Sequence, residues 1–139
     1  MIVLDTNVIS EMMRSRPDEA VAHWYRRLSR RALFTTSINC GEVFVGIETM
    51  AIGRKRAELA KEARAMFNTE FEGRVLSFDQ RAAEHYADIF ARRRRHGRPI
   101  DALDAQIAAI ARAHGMGVAT RNTKHFEDCG IDIINPWGD

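Results

Sequence analysis

Asp5, Glu42, Asp104 and Asn122 are the residues of this chain whose types and settings suit chemistry. Asp5 follows the apolar run Ile2, Val3, Leu4 and precedes the polar pair Thr6 and Asn7, which puts a carboxylate at the edge of a buried strand. Taken singly, Glu42 could complete a capping box with Asn39, and Asp104 could do the same with Asp101 or complement its helix dipole. Taken together, three acids at one place repel. At ~4 Å and an effective dielectric of ~20, each like-charged pair costs roughly 4 kcal/mol. A compensating cation removes that cost, and oxygen ligands of this kind suit Mg²⁺ or Mn²⁺.

The elements that must position these groups can be read from periodicity. Short apolar runs at 2–5, 33–36 ("LFTT"), 74–77, 117–120 ("GVAT") and 132–134 suit strands. Helical patterns occupy the stretches near 9–14, 18–30, 38–51, 54–70, 79–96 and 102–114. Val43, Ile47 and Met50 lie at i, i+4, i+7, as do Leu103, Ile107 and Ile110, so each trio forms an apolar helix face. Strands alternating with helices predict an α/β domain with a mainly parallel sheet. In such a sheet, ligands bind beyond the carboxyl ends of the strands, where the strand order reverses. Asp5 ends the first strand and Asn122 lies just past "GVAT". Glu42 and Asp104 are expected in the first turns of helices that start at that same edge.

With 139 residues, 45% of them hydrophobic and 29% charged, the chain suits one soluble globular domain spanning 1–139. Net charge is only +2, but 18 of the 21 Lys+Arg residues are Arg, whose planar fork of donors leans toward an anionic partner. Cys40 and Cys129 form no CxxC pattern, which argues against a disulfide framework or structural zinc. No segment approaches transmembrane length, and a cytoplasmic location without membrane contact is expected.

Other groups carry less. Arg92 to Arg95, beside His96, suit a solvated helix end more than a phosphate site, and Arg26, Arg27, Arg30 and Arg31 have the same status. His23, His85, His114 and His125 lack paired ligand spacing, and Trp24 and Trp137 suit packing. A GxxxxGK[ST] phosphate loop is absent. An aspartyl-phosphate phosphatase would carry a second acid where this chain has Asn7.

Read in order, "IVLDTNVISE", "INCGEVFVGIE", "DAQIAAIARAHGMGVATRNTKHF" and "INPW" resemble the motifs of PIN domains, and closely those of VapC-type toxin nucleases, the FitB-like proteins above all. The resemblance runs through essentially the whole chain. It implies a three-layer α/β/α sandwich around a central, mainly parallel sheet of about five strands. It implies a metal-dependent endoribonuclease, the toxin of a type II toxin–antitoxin pair, that hydrolyses RNA with carboxylate-bound Mg²⁺ or Mn²⁺. Carried over by position, the metal-binding acids are Asp5, Glu42 and Asp104. Thr6, Asn7 and Thr120 match the polar residues that support them.

Asn122 is a departure, since many members, FitB-like ones among them, have a fourth acid there. An amide can ligate but brings no charge, which argues against a permanently occupied second metal. A degenerate PIN domain that binds RNA or protein without cleaving, or a metal-dependent DNase, are the alternative readings. The resemblance also implies a homodimer and a hetero-oligomer with a small DNA-binding antitoxin.

Overall fold

A computed structural model describes residues 1–138 of the chain. Five strands, β1 (Ile2–Leu4), β2 (Leu33–Thr36), β3 (Val75–Leu76), β4 (Gly117–Ala119) and β5 (Ile133–Ile134), form one sheet in the order β3-β2-β1-β4-β5. Every pairing is parallel, so the expected mainly parallel sheet is wholly so. The chain builds outward from β1 to β3 and then returns to lay β4 on the other side of β1. The reversal of strand order therefore falls between β1 and β4, which is where a crevice opens in this class of sheet.

Six helices cover the two faces: α1 (Thr6–Met12), α2 (Glu19–Arg27), α3 (Ser37–Glu48), α4 (Arg54–Ala65), α5 (Gln80–Arg95) and α6 (Ala102–Ala113). Alternation along β1 divides the core. Ile2 and Leu4 pack with Val8, Ile9, Val21, Val43 and Ile47 on one face. Val3 points the other way, against Ile89, Ile107, Ala108 and Val118. A central strand covered on both faces must be apolar at every position, and Ile2–Leu4 is. The alanines Ala105, Ala108, Ala109 and Ala111 are fully buried, so α6 lies close against its neighbours.

Several boundaries differ from the sequence reading. The helix expected near 9–14 begins at Thr6, because Asp5 leaves the strand and caps it: its carboxylate accepts the Thr6 N–H. The stretch expected as one helix over 54–70 changes at Met66 into a π-helical turn, Met66–Glu70, that buries Phe67. The arginine run at the end of α5 is not a uniformly solvated face. Arg92 pairs with Asp128, but Arg93 is buried and turned inward. Among the described residues, no helix is long and apolar enough to cross a membrane.

Gly117 has a steric reason. A Cβ there would meet the Asp132 carbonyl oxygen at 2.9 Å and the Asp132 Cβ at 3.2 Å. The obstructing atom is backbone and cannot rotate away, so β4 and β5 would separate. Gly117→Ala is expected to cost about 1–3 kcal/mol, measured by urea denaturation. Wild-type stability in that variant would show that the β4–β5 edge yields freely.

Candidate functional site

The site begins at Asp5. Its backbone N–H donates to the Ala119 carbonyl at 2.9 Å, which ties the end of β1 to the end of β4. Its carboxylate is almost fully buried and held from three sides. Oδ1 accepts from the Thr6 N–H at 2.8 Å and from Asn39 Nδ2 at 3.2 Å, while Oδ2 accepts from the Thr120 hydroxyl at 2.7 Å. A carboxylate oxygen accepts about two hydrogen bonds, so Oδ1 is saturated and Oδ2 keeps a lone pair for a ligand.

The holders are themselves held. The Thr120 hydroxyl donates to Asp5 and accepts from the Asn122 N–H at 3.0 Å and from Asn7 Nδ2 at 3.3 Å. Asn7 Oδ1 accepts the Arg121 N–H at 3.2 Å. The Asn39 amide is oriented by Thr36, whose hydroxyl donates to Asn39 Oδ1 at 2.6 Å. Asn39 Nδ2 reaches the Thr6 hydroxyl at 3.0 Å as well as Asp5, and Thr6 Oγ1 donates to Glu42 Oε1 at 2.8 Å. One network thus joins α1, α3 and the strand ends.

Thr6, Asn7 and Thr120 are therefore in contact with the acids or with one another. Glu42 is brought to the site from the second turn of α3, not the first, because the helix starts at Ser37. It does not close a capping box with Asn39, since Thr36 is the N-cap. Asp101 is the N-cap of α6, accepting from the N–H groups of Leu103 and Asp104, and no bond from the Asp104 carboxylate closes a box with it. This leaves the Asp104 carboxylate free to face His125, 3.3 Å from Nδ1. Asn122 contributes its backbone N–H to the network while its side chain is exposed.

Two residues of the site were not singled out by sequence. Asn39 ties Asp5 to Thr6, which in turn holds Glu42, and its only trace in the sequence is an i, i+3 relation to Glu42. His125 reaches Asp104 from the turn Thr123–Phe126, and no spacing signals it.

Electrostatics show that the acids sense one another. Asp104 is pushed up from 3.8 to about 6, first by burial, then by the charge on Asp5; His125 opposes, and Asp101 and Glu42 add to the rise. Burial raises Glu42, the Thr6 hydroxyl offsets part of that, and Asp5 and Asp101 push it further up. Since Asp104 holds its proton more tightly folded than unfolded, its contribution favours the fold at low pH. That contribution is lost as pH rises from about 4 through 6. In EDTA at pH 7, Asp104→Asn is therefore expected to raise unfolding free energy by about 2–3 kcal/mol, with the difference vanishing near pH 4. Urea midpoints at the two pH values test this, and equal midpoints at both would contradict it.

The donor set fits a hard divalent cation: carboxylate oxygens, one with a lone pair to spare, in a place where added positive charge offsets repulsion. Among the described residues no three His, Cys, Asp or Glu side chains converge tightly enough to enclose an ion unaided. Mg²⁺ does not ask for that, since it commonly takes one or two carboxylates and keeps waters or substrate phosphates as its other ligands.

The PIN domain pattern matches residues 2–130. The VapC ribonuclease Y4jK of Sinorhizobium fredii is 42% identical over 137 residues, covering 99% of this chain and 98% of its own. Toxin FitB of Neisseria gonorrhoeae is 37% identical over 139 residues and covers both chains completely. The structure of FitAB bound to the IR36 DNA fragment superimposes with a TM-score of 0.92 at 38% identity, over 99% of this chain and 96% of that one. A network of acids at the β1–β4 reversal of a five-stranded parallel sheet, carried on a sequence this similar from end to end, shows that the chain belongs to the PIN-domain family and is of the VapC type.

Proposed function

We propose that the protein is a metal-dependent endoribonuclease acting as the toxin of a type II toxin–antitoxin pair. The observation that carries this is Asp5: a buried carboxylate held by three donors, with one lone pair left on Oδ2. Asp104 and Glu42 lie close enough for its charge to raise both. Burying a carboxylate so near two others is costly for a fold unless a cation joins them.

Asp5 Oδ2 and Asp104 are the ligands in this reading. When bound, Mg²⁺ or Mn²⁺ would supply charge neutralisation and Lewis acidity at a phosphate oxygen. Thr6 holds Glu42 by Oε1, which leaves Oε2 to ligate or to orient an attacking water. Asn39 and Thr120 keep Asp5 in one rotamer, so the site is organised before substrate arrives. Asn122 adds an amide at the rim and no charge, which suits one cation better than two.

A relative named as a ribonuclease, another named as a toxin, and a structural match solved in a complex on DNA support RNA as substrate and a small DNA-binding antitoxin as partner. A homodimer and a toxin–antitoxin hetero-oligomer belong to the same proposal.

The test is cleavage of structured RNA and of a sequence-matched DNA by the partner-free protein, with Mg²⁺, Mn²⁺ or EDTA. Metal-dependent cutting of RNA is expected, together with a melting temperature that rises with Mg²⁺ as mass action requires. Equal or preferred cutting of DNA would make it a DNase. Neither cutting nor metal binding by calorimetry would leave a non-catalytic binding module.

A further inference from the structure

Arg121 follows Thr120, whose hydroxyl bonds Asp5, and its own N–H is fixed by Asn7 Oδ1 at 3.2 Å. Its Cα is thus anchored at the rim of the acid site by two side chains of that site. Its guanidinium does not turn back to the acids. It lies over the Trp137 ring, 5.1 Å from the centroid. Among the described residues no carboxylate pairs with it, as for most of the arginines. The half-buried Trp137 indole packs on the core, and its backbone N–H donates to Asn135 Oδ1 at 2.9 Å, so the platform under Arg121 is held by contacts of its own.

A guanidinium lying on an aromatic face keeps its N–H donors in its own plane, pointing outward around its edge. That edge is the part that forks onto a phosphate, and holding it in advance reduces the entropy lost on binding. An acid cluster repels a polyanion, so a substrate strand needs positive charge beside it to dwell there.

We propose that Arg121, held on Trp137, binds a backbone phosphate of the RNA strand flanking the bond to be cut, which makes it a substrate-positioning residue. This rests on the nuclease reading above. The test is fluorescence polarisation of a fluorescein-labelled single-stranded RNA of mixed sequence with the full-length protein in EDTA, across a salt series. Wild type, Arg121→Ala, Arg121→Lys and Trp137→Leu would be compared.

Arg121→Ala is expected to weaken binding about 3- to 10-fold and to reduce the slope of log K against log salt by about 0.7, the value for one phosphate contact on a single strand. Arg121→Lys should keep the slope. Trp137→Leu should weaken binding with the slope intact, because the charge remains while its platform is lost. A merely structural role for the pair would lower the melting temperature and leave the salt slope of Arg121→Ala at the wild-type value. Wild-type slope and affinity in Arg121→Ala, with RNA still bound by the parent, would overturn this assignment and leave the nuclease reading standing. No RNA binding by the parent would overturn this assignment alone, since the nuclease reading is decided separately by metal-dependent cleavage. A dependence on Arg121 seen with a matched DNA strand but not with RNA would overturn the assignment to RNA.

Discussion

Replacing Asp5 by Ala is expected to lower RNA cleavage by about 10²–10³-fold or more while the protein still folds, the range seen when one group organising a transition state is removed. The loss follows from what Asp5 joins. Thr6, Asn39 and Thr120 all aim donors at its carboxylate, and its Oδ2 is the best-placed free lone pair of the network. Stability should fall by about 1–3 kcal/mol, because the Asn39 and Thr120 donors lose their buried acceptor and that loss is only partly offset. A helix N-cap is lost, at about 1 kcal/mol, while repulsion of Asp104 and Glu42 is relieved.

The isosteric Asp5→Asn is expected to be no milder. With its NH₂ toward Thr120, the amide meets a hydroxyl whose acceptor sites are already taken by Asn122 and Asn7. Turned round, the NH₂ meets the Thr6 N–H and the Asn39 amide, which are also donors. A readout independent of activity exists: the Asp104 carboxyl should titrate below its present value of about 6 in Asp5→Ala, because Asp5 is one cause of that rise. Full cleavage by the variant, or an unmoved Asp104 titration, would remove Asp5 from the centre of the site.

The largest effect on stability is expected at Arg93. Its side chain is buried, and its partners are three carbonyl oxygens: Arg98 from Nε at 2.7 Å, and His125 and Glu127 from Nη1 at 2.9 and 2.8 Å. It stands in the last turn of α5, where the helix dipole favours a cation. Carbonyl dipoles thus satisfy this charge in place of a carboxylate. By gripping His125 and Glu127, Arg93 fastens the loop that carries His125 against Asp104.

Arg93→Met keeps much of the volume but leaves buried acceptors without donors, and should cost about 3–5 kcal/mol by chemical denaturation. Arg93→Lys should recover only part, since an ammonium cannot fork to oxygens on two sides. The neighbouring Arg92→Met gives the contrast. Arg92 is about half exposed and pairs with Asp128 at the surface, so its loss should cost under about 1 kcal/mol. Equal costs at the two positions would mean that the carbonyl clamp contributes nothing special.

The sequence alone determined which residues would be sent to one edge of the sheet. An apolar run ending in Asp5, a second strand leading into the helix of Glu42, and Asp104 at the start of the helix before "GVAT" follow from local patterns. Parallel connection then forces all three to one edge, because every crossover must return there. Thr6, Asn7 and Thr120 come from the resemblance to PIN-domain motifs, not from local pattern. Local pattern misjudged Glu42 by a turn, since the strand ran directly into its helix through a Thr36 cap that periodicity does not register.

Tertiary structure decided the rest. Asn39 bonds a residue 34 positions away, and Arg93 bonds carbonyls 32 and 34 positions away. In sequence the first resembles a helix cap and the second one more exposed arginine in a basic run. Whether a side chain turns to solvent or inward depends on which loop packs over it. A hydrogen bond depends on a few tenths of an ångström between partners that no local spacing relates. Local pattern therefore set the acids, and only packing could set what holds them: Asn39 on Asp5 and Thr6, His125 on Asp104, and Arg93 on the loop that brings His125 there.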